Sequence, residues 1–223
     1  MEKIPSLPHA GKDAGTATAS LAEASEDAKS WRDGVPTLAG TLVTLRELRA
    51  SDASSLFLAL SADAVTRFIS PPPPSIEGFE KFIAWTHLQR TAGQYACFAI
   101  VPQGSDAAFG LFQIRSLEPA FGTAEWGFAL APELWGNGSF GDGARMAIRF
   151  AFETLGTHRL EARASVANGR GNAALQKLGA SCEGILRRSL LRHGEYHDQA
   201  LWTIRADQWR DAHLASGTPP TIH

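Results

Sequence analysis

Between Arg159 and Val166 the chain alternates, with Leu160, Ala162, Ala164 and Val166 on one side and Arg159, Glu161, Arg163 and Ser165 on the other. A period of two is that of a strand with one buried face. The run from Ser139 to Leu155 changes period. Ala144, Ile148, Ala151 and Leu155 make an apolar stripe there, and Arg145, Arg149 and Glu153 a polar one, which predicts an amphipathic helix. Segments rich in Leu, Val, Thr, Phe and Ile predict further strands over Thr41–Leu48, Tyr95–Val101, Ala107–Arg115 and Thr123–Leu130. A turn at Gln103–Asp106 joins the second of these to the third, and Pro132 ends the last.

The remaining helices are marked by the chemistry of their ends. Asp52 is a good N-cap for a helix through about Leu60, and Ser75 for one through about Arg90, after an extended Ser70–Pro74 run. Asn168 opens another helix and Gly179 stops it as a C′ glycine. Cys182–Arg192 and Tyr196–Ile204 form a final hairpin around His193-Gly194. This order predicts a single α/β (α+β) domain, with a mixed, mostly antiparallel sheet of about seven strands flanked by about four helices. Residues 1–40 carry little periodic apolar content beyond a helical pattern over Leu21–Lys29. They are expected to be a flexible arm whose truncation through Gly34 leaves stability nearly unchanged. The domain is placed at 41–209 and a tail at 210–223.

A chain of 223 residues suits one domain with a sizeable core. The net charge of −2 supplies no basic field, so neither nucleic acid nor an anionic membrane is expected as a partner. The longest stretch free of Asp, Glu, Lys and Arg, Thr91–Ser105, is too short to span a bilayer. The N-terminus lacks the pattern of a secretion signal, so a cytoplasmic protein is expected. Cys97 and Cys182 lie far apart in apolar surroundings, which predicts buried, reduced thiols and no metal site.

Chemistry concentrates at Trp135-Gly136-Asn137-Gly138-Ser139-Phe140-Gly141-Asp142-Gly143, between a strand and a helix. Bare backbone N–H groups and the positive end of the helix dipole meet an anion at such a junction, so the loop predicts a phosphate cradle. Its glycine spacing does not fit a Rossmann dinucleotide site.

With Val166-Ala167-Asn168 and Leu175-Gln176-Lys177-Leu178-Gly179 added, the chain resembles the GNAT superfamily of acyl-CoA-dependent N-acyltransferases. Within it, the chain is similar to the RimJ/RimL branch, named for ribosomal-protein N-terminal acetyltransferases. The resemblance covers roughly Thr41–Trp209. It rests on the element order, on Leu134-Trp135-Gly136-Asn137-Gly138 before a helix, on His158-Arg159-Leu160-Glu161-Ala162-Arg163, and on Asn168 eleven residues before Gly179. Thr66-Arg67-Phe68-Ile69 followed by prolines looks like that branch too. The resemblance implies acetyl-CoA as co-substrate. Its pantetheine arm would pair with backbone groups of Phe128, Ala129 and Leu130, and its pyrophosphate would rest on N–H groups of Trp135, Gly136, Asn137, Gly138, Ser139, Phe140 and Gly141. Asn168 would sit near the thioester. The chain departs from the family pattern at Phe140, where a small residue is usual, and at Leu175, where many relatives carry a tyrosine that protonates the departing thiolate.

Making an amide from an amine and a thioester requires a neutral amine, donors for the oxyanion and an exit for the thiolate. Glu125, on the strand that would carry the cofactor, is the candidate base, with partnership to an arginine as the competing role. A backbone N–H on that strand can donate to the oxyanion. Tyr196 is the candidate acid; Tyr95, the other tyrosine, reads with it as a packing residue. Surface or structural roles are expected for His193 and His197, and core positions for Trp85, Trp126 and Trp202. The expected acceptor is a primary amine, foremost a protein or peptide α-amine. A small amine (amino acid, polyamine or aminoglycoside) is the alternative within the enzyme class, and a non-catalytic acyl-CoA sensor the alternative outside it. A homodimer is left open.

Overall fold

The computed structural model describes residues 31–192 and 194–215, with backbone alone from 212. Eight strands form one sheet in the order β1-β2-β3-β4-β5-β6-β8-β7. In sequence they are β1 (Leu38–Ala39), β2 (Val43–Glu47), β3 (Tyr95–Pro102), β4 (Gly110–Ser116), β5 (Thr123–Leu130), β6 (Arg159–Ser165), β7 (Ser181–Arg192) and β8 (Glu195–Arg205). Between β2 and β3 lie helices α1 (Ala53–Leu60), α2 (Asp63–Thr66) and α3 (Ile76–Thr91). Helix α4 (Ser139–Glu153) joins β5 to β6, α5 (Gly169–Lys177) joins β6 to β7, and α6 (Ala206–Ala215) follows β8. All pairings are antiparallel except β5 with β6.

Strand alternation divides the core into two layers. Ala96, Phe98 and Ile100 of β3 and Phe112 and Ile114 of β4 pack with Ala144, Ala147, Ile148 and Ala151 of α4 and Leu175 of α5. The intervening residues Tyr95, Cys97, Ala99 and Leu111 pack with Leu56 and Leu60 of α1 and with Phe79 and Ile83 of α3. The sheet thus has an α4/α5 face and an α1–α3 face. On β5, Trp126 and Leu130 belong to the first and Ala129 to the second.

Ser75 caps α3 as expected, its hydroxyl accepting from Gly78 N at 3.1 Å. Asp52 does something else. Its carboxylate accepts two hydrogen bonds from Arg46, at 2.7 and 2.8 Å, and a third from Arg49 N at 2.8 Å. Both ionised groups are buried, so this pairing answers the desolvation of each. The Asp52 hydrogen bond also holds the Arg46 guanidinium above its ordinary pKa.

The folded region extends past both expected limits. Trp31 is 2% exposed and meets Phe121 edge to face at 5.6 Å, and Val35 is also buried. Leu38 and Ala39 add the eighth strand beside β2. An isolated Trp and Val in a polar, Gly- and Pro-containing stretch give no periodic signal, although a single buried aromatic anchors a segment firmly. At the other end, α6 crosses residue 210. The arm before Trp31, with its Leu21–Lys29 helical pattern, and His193 lie outside the described residues. Trp31→Ala is therefore expected to cost about 3–5 kcal/mol, the range for deleting a buried tryptophan side chain. Denaturant unfolding of the variant checks this, and truncation through Gly34 should carry the same penalty.

Two smaller expectations also change. Trp85 is 43% exposed on α3, stacked on Phe82 at 6.1 Å, rather than in the core. Cys97 is buried, which pushes its thiol pKa up, whereas Cys182 is exposed on β7. No helix among the described residues is long and apolar enough to cross a membrane.

Candidate active site at the split between two parallel strands

Strands β5 and β6 pair through only three positions: Thr123 with Arg159, Ala124 with Leu160 and Glu125 with Glu161. Beyond Glu125, β5 continues against β4 as far as Leu130, and β6 continues against β8 as far as Ser165. One edge of β5 is thereby left without a strand partner from Trp126 to Leu130. A cavity of about 900 Å³ occupies the gap.

Alternation assigns its walls. Trp126 and Phe128 of β5, Ala162 and Ala164 of β6, and Asn168, Gly171 and Leu175 around α5 line it on the α4/α5 face. On the α1–α3 face the floor is Gln113, Arg115, Glu125, Gly127 and Ala129, and the wall is Phe68–Pro74 with Phe79 and Phe82. The opening therefore passes through the sheet, and each face offers a different environment to a ligand.

The α4/α5 face carries the anion-binding end. Gly136 and Gly138 hold φ of +78° and +93°, a region open to glycine, and Gly138 is the N-cap of α4. Within the loop, Trp135 N donates to Pro132 O at 3.0 Å and Ser139 N to Asn137 Oδ1 at 3.0 Å. These two amides of the expected cradle are thus already used, and Ser139 is buried rather than solvent-facing. The amides of Gly136, Asn137, Gly138, Phe140 and Gly141 donate to no acceptor among the described residues, and they stand at the positive end of a 15-residue helix. Phe140 packs its ring 4.6 Å from Phe128 and 6.0 Å from Phe112, which fixes the start of α4 to β5 and β4.

Of the three β5 residues expected along the pantetheine, Phe128 and Ala129 line the cavity and Leu130 does not. Leu130 is buried in the core, and its carbonyl accepts from Trp135 Nε1 at 3.1 Å. The Trp135 ring is covered by the Arg170 guanidinium, 3.9 Å from its centroid. Asn168 caps its helix as expected and stands at the cavity wall. Its Oδ1 accepts from Gly171 N at 2.9 Å, capping α5, and its Nδ2 group has no partner among the described residues at the cavity wall. A Cβ on residue 171 would come within 2.5 Å of that nitrogen, so glycine keeps the space open. Free amides, an unpaired strand edge and an unspent carboxamide fit an acyl-CoA with its pyrophosphate at the loop and its amide-bearing arm along β5.

On the α1–α3 face Glu125 reaches the cavity, where its carboxylate is ion-paired with Arg115 of the neighbouring strand. The arginine-partner role, the alternative expected for Glu125, is the one the structure records. Tyr196 is not brought to the site. It stands 55% exposed at the start of β8, with Arg188 5.8 Å above its ring, and does not line the cavity. Tyr95 lines the cavity instead, and its hydroxyl donates to Gln113 Oε1. Burial pushes the Tyr95 pKa up, so the phenol remains protonated. His197 is half-buried on β8 outside the cavity.

Gln113, Arg115, Arg163, Leu190 and Gln199 also line the gap, and none of them stands out as a site residue from its sequence neighbours alone. Gln113 and Arg115 stand two apart in an otherwise apolar strand. That signal becomes specific only when the register places them opposite Gly127 and Glu125.

Comparison with known proteins agrees with this geometry. The family described as "Acetyltransferase (GNAT) domain" matches residues 43–181, and the chain belongs to that family. It is an acyl-CoA-dependent N-acetyltransferase. YoaA of Bacillus subtilis (strain 168), an uncharacterized N-acetyltransferase, is 26% identical over 174 residues, covering 76% of this chain and 96% of that protein. YdaF of the same organism, named as a candidate ribosomal N-acetyltransferase, is 29% identical over 100 residues, 45% of this chain and 55% of its own length. The structure of Mycobacterium smegmatis RimJ in complex with CoA-disulfide superposes with a TM-score of 0.73 at 23% identity, covering 84% of this chain and 96% of that one.

Proposed function

We propose that the protein transfers the acetyl group of acetyl-CoA to the α-amine of a protein or peptide, as a member of the RimJ/RimL branch. The observation that carries this reading is the charge lining the cavity. Among the described residues, Glu125 is its one carboxylate, against the guanidinium groups of Arg115 and Arg163. A polyamine or aminoglycoside would bring several positive charges into a site that answers only one, at a Coulomb cost for each surplus cation. An α-amine, with a pKa of about 7.7–8.0, is partly neutral at physiological pH and needs only a modest base, whereas a lysine amine at about 10.4 needs more. The fold likeness to RimJ and the name of YdaF support the same assignment by analogy.

Bound acetyl-CoA supplies an acyl group already activated as a thioester. The amides of Gly136, Asn137, Gly138, Phe140 and Gly141 hold its pyrophosphate, and the free edge of β5 and Asn168 Nδ2 hold its arm. Glu125, oriented by Arg115, takes the proton of the incoming amine directly or through water; the nitrogen bonds the acetyl carbon, the C–S bond breaks, and CoA leaves as its thiolate, which takes a proton from solvent. Phe68, Ile69 and the prolines that follow exclude water and favour an uncharged first residue on the acceptor.

Incubation with acetyl-CoA and a mixed panel of peptides, amino acids, polyamines and an aminoglycoside, read by mass spectrometry, tests the assignment. Acetylation at peptide N-termini is expected. Modification confined to the polyamines or the aminoglycoside would overturn it.

A further inference from the structure

One polar side chain on the α1–α3 face has no role in the proton transfer assigned to Glu125. Gln113 is half-buried at the centre of β4, directly opposite Gly127 of β5. Its carbonyl oxygen accepts the hydroxyl of Tyr95, a side chain that is 6% exposed and braced by the Trp85 ring at 5.0 Å. The structure turns the carboxamide oxygen to that hydroxyl. With Oε1 turned to Tyr95, Nε2 lies over Gly127: a Cβ built there would be 2.9 Å from Nε2 and 3.4 Å from Cγ. Glycine at 127 thus leaves room for the amide to lie flat on β5, beside Glu125. Glu125 and Gly127 are same-face neighbours, about 6.6–6.8 Å apart along the strand. Both hydrogens of Gln113 Nε2 lack an acceptor among the described residues.

We propose that Gln113 is a specificity-determining residue that reads the acceptor's carbonyl. Nε2 donates to the carbonyl oxygen on the carbon next to the one bearing the amine, while Glu125 receives the amine itself. The acceptor class is then α-amino carbonyl compounds, meaning peptide N-termini and amino-acid amides, as opposed to simple alkylamines. Tyr95 is a positioning residue that acts through Gln113. The inference rests on the α-amine reading above and refines it. Its physical basis is that a site built to hydrogen-bond a substrate group discriminates against analogues lacking that group, because the half-buried donor then loses its partner.

The test compares kcat/KM for an alanyl peptide with that for isopropylamine, the same branched amine without the carbonyl, using acetyl-CoA and the full-length protein. Taking the ratio cancels the different basicities of the two amines between variants. Gln113→Met keeps the shape and removes the donor, so the ratio should fall about ten- to hundredfold. Tyr95→Phe keeps the packing and frees the amide, and should shift the ratio in the same direction by less. Gly127→Ala, which displaces the amide, should lower it also. Ratios within about twofold of the parent in Gln113→Met and Tyr95→Phe, with peptide turnover retained, would overturn the role of Gln113 and leave the α-amine reading standing. A parent enzyme that turns over isopropylamine or a polyamine in preference to every peptide would overturn both.

Discussion

Glu125→Gln is expected to lower kcat on a peptide acceptor by about 10²–10⁴ at neutral pH, the usual worth of a positioned base. Acyl-CoA affinity should be nearly unchanged, because the Glu125 side chain lies on the α1–α3 face whereas the free loop amides and Asn168 serve the α4/α5 face. The amide substitute preserves shape and can still accept a hydrogen bond from Arg115. Loss of fold is therefore not the expected route to lost activity. The pH dependence separates a base from a structural carboxylate. The deficit should shrink as pH rises past about 8, where the α-amine of the acceptor is already neutral, and it should be larger for lysine-like amines. A carboxylate serving only as a partner for Arg115 would change KM and stability but leave the pH profile of kcat alone. An unchanged kcat at neutral pH would leave amine positioning, with deprotonation in bulk water, as the better account.

Gly138→Asp should weaken CoA binding by about 30-fold to more than 10⁴-fold. Two terms contribute. A non-glycine residue at φ +93° bears about 1–2 kcal/mol of backbone strain at the N-cap of α4. A carboxylate beside the bound pyrophosphate adds about 1–4 kcal/mol of repulsion at 4 Å, depending on how far the site excludes water. Gly138→Asn distinguishes the two, since asparagine tolerates the left-handed region and carries no charge. It should bind CoA closer to the parent than to the aspartate variant. Calorimetry on both, with melting temperatures recorded alongside, gives the comparison. Equal losses in the two variants would mean that the loop acts through its backbone shape alone.

The parts legible in the sequence are those specified locally. The alternation over Arg159–Ala164, the Ser75 and Asn168 caps, and the Gly136–Gly138 turn each depend on a few neighbouring residues, and each occurs where the pattern places it, whereas Val166 lies past the strand end and is 50% exposed. Trp31 was not legible because its partner Phe121 lies far along the chain, and the Leu38–Ala39 strand because two residues are too few to show a period. The site divides in the same way. The phosphate loop is a contiguous motif. The acceptor floor is a row across strands, in which Gln113 meets Gly127 and Arg115 meets Glu125, and a row exists only once register is fixed.

The central claim is that the two substrates meet through the sheet, from opposite faces, at the point where β5 and β6 part. A crystal structure with a bisubstrate analogue, CoA joined through its acetyl carbon to the α-nitrogen of an alanyl peptide, tests this most directly. Pyrophosphate is expected on the amides of Gly136, Asn137, Gly138, Phe140 and Gly141, and pantetheine along β5 from Trp126 to Ala129. The peptide should emerge on the Gln113–Glu125 face beneath the Phe68–Pro74 wall. A peptide leaving on the α4/α5 face, away from Glu125, would contradict it.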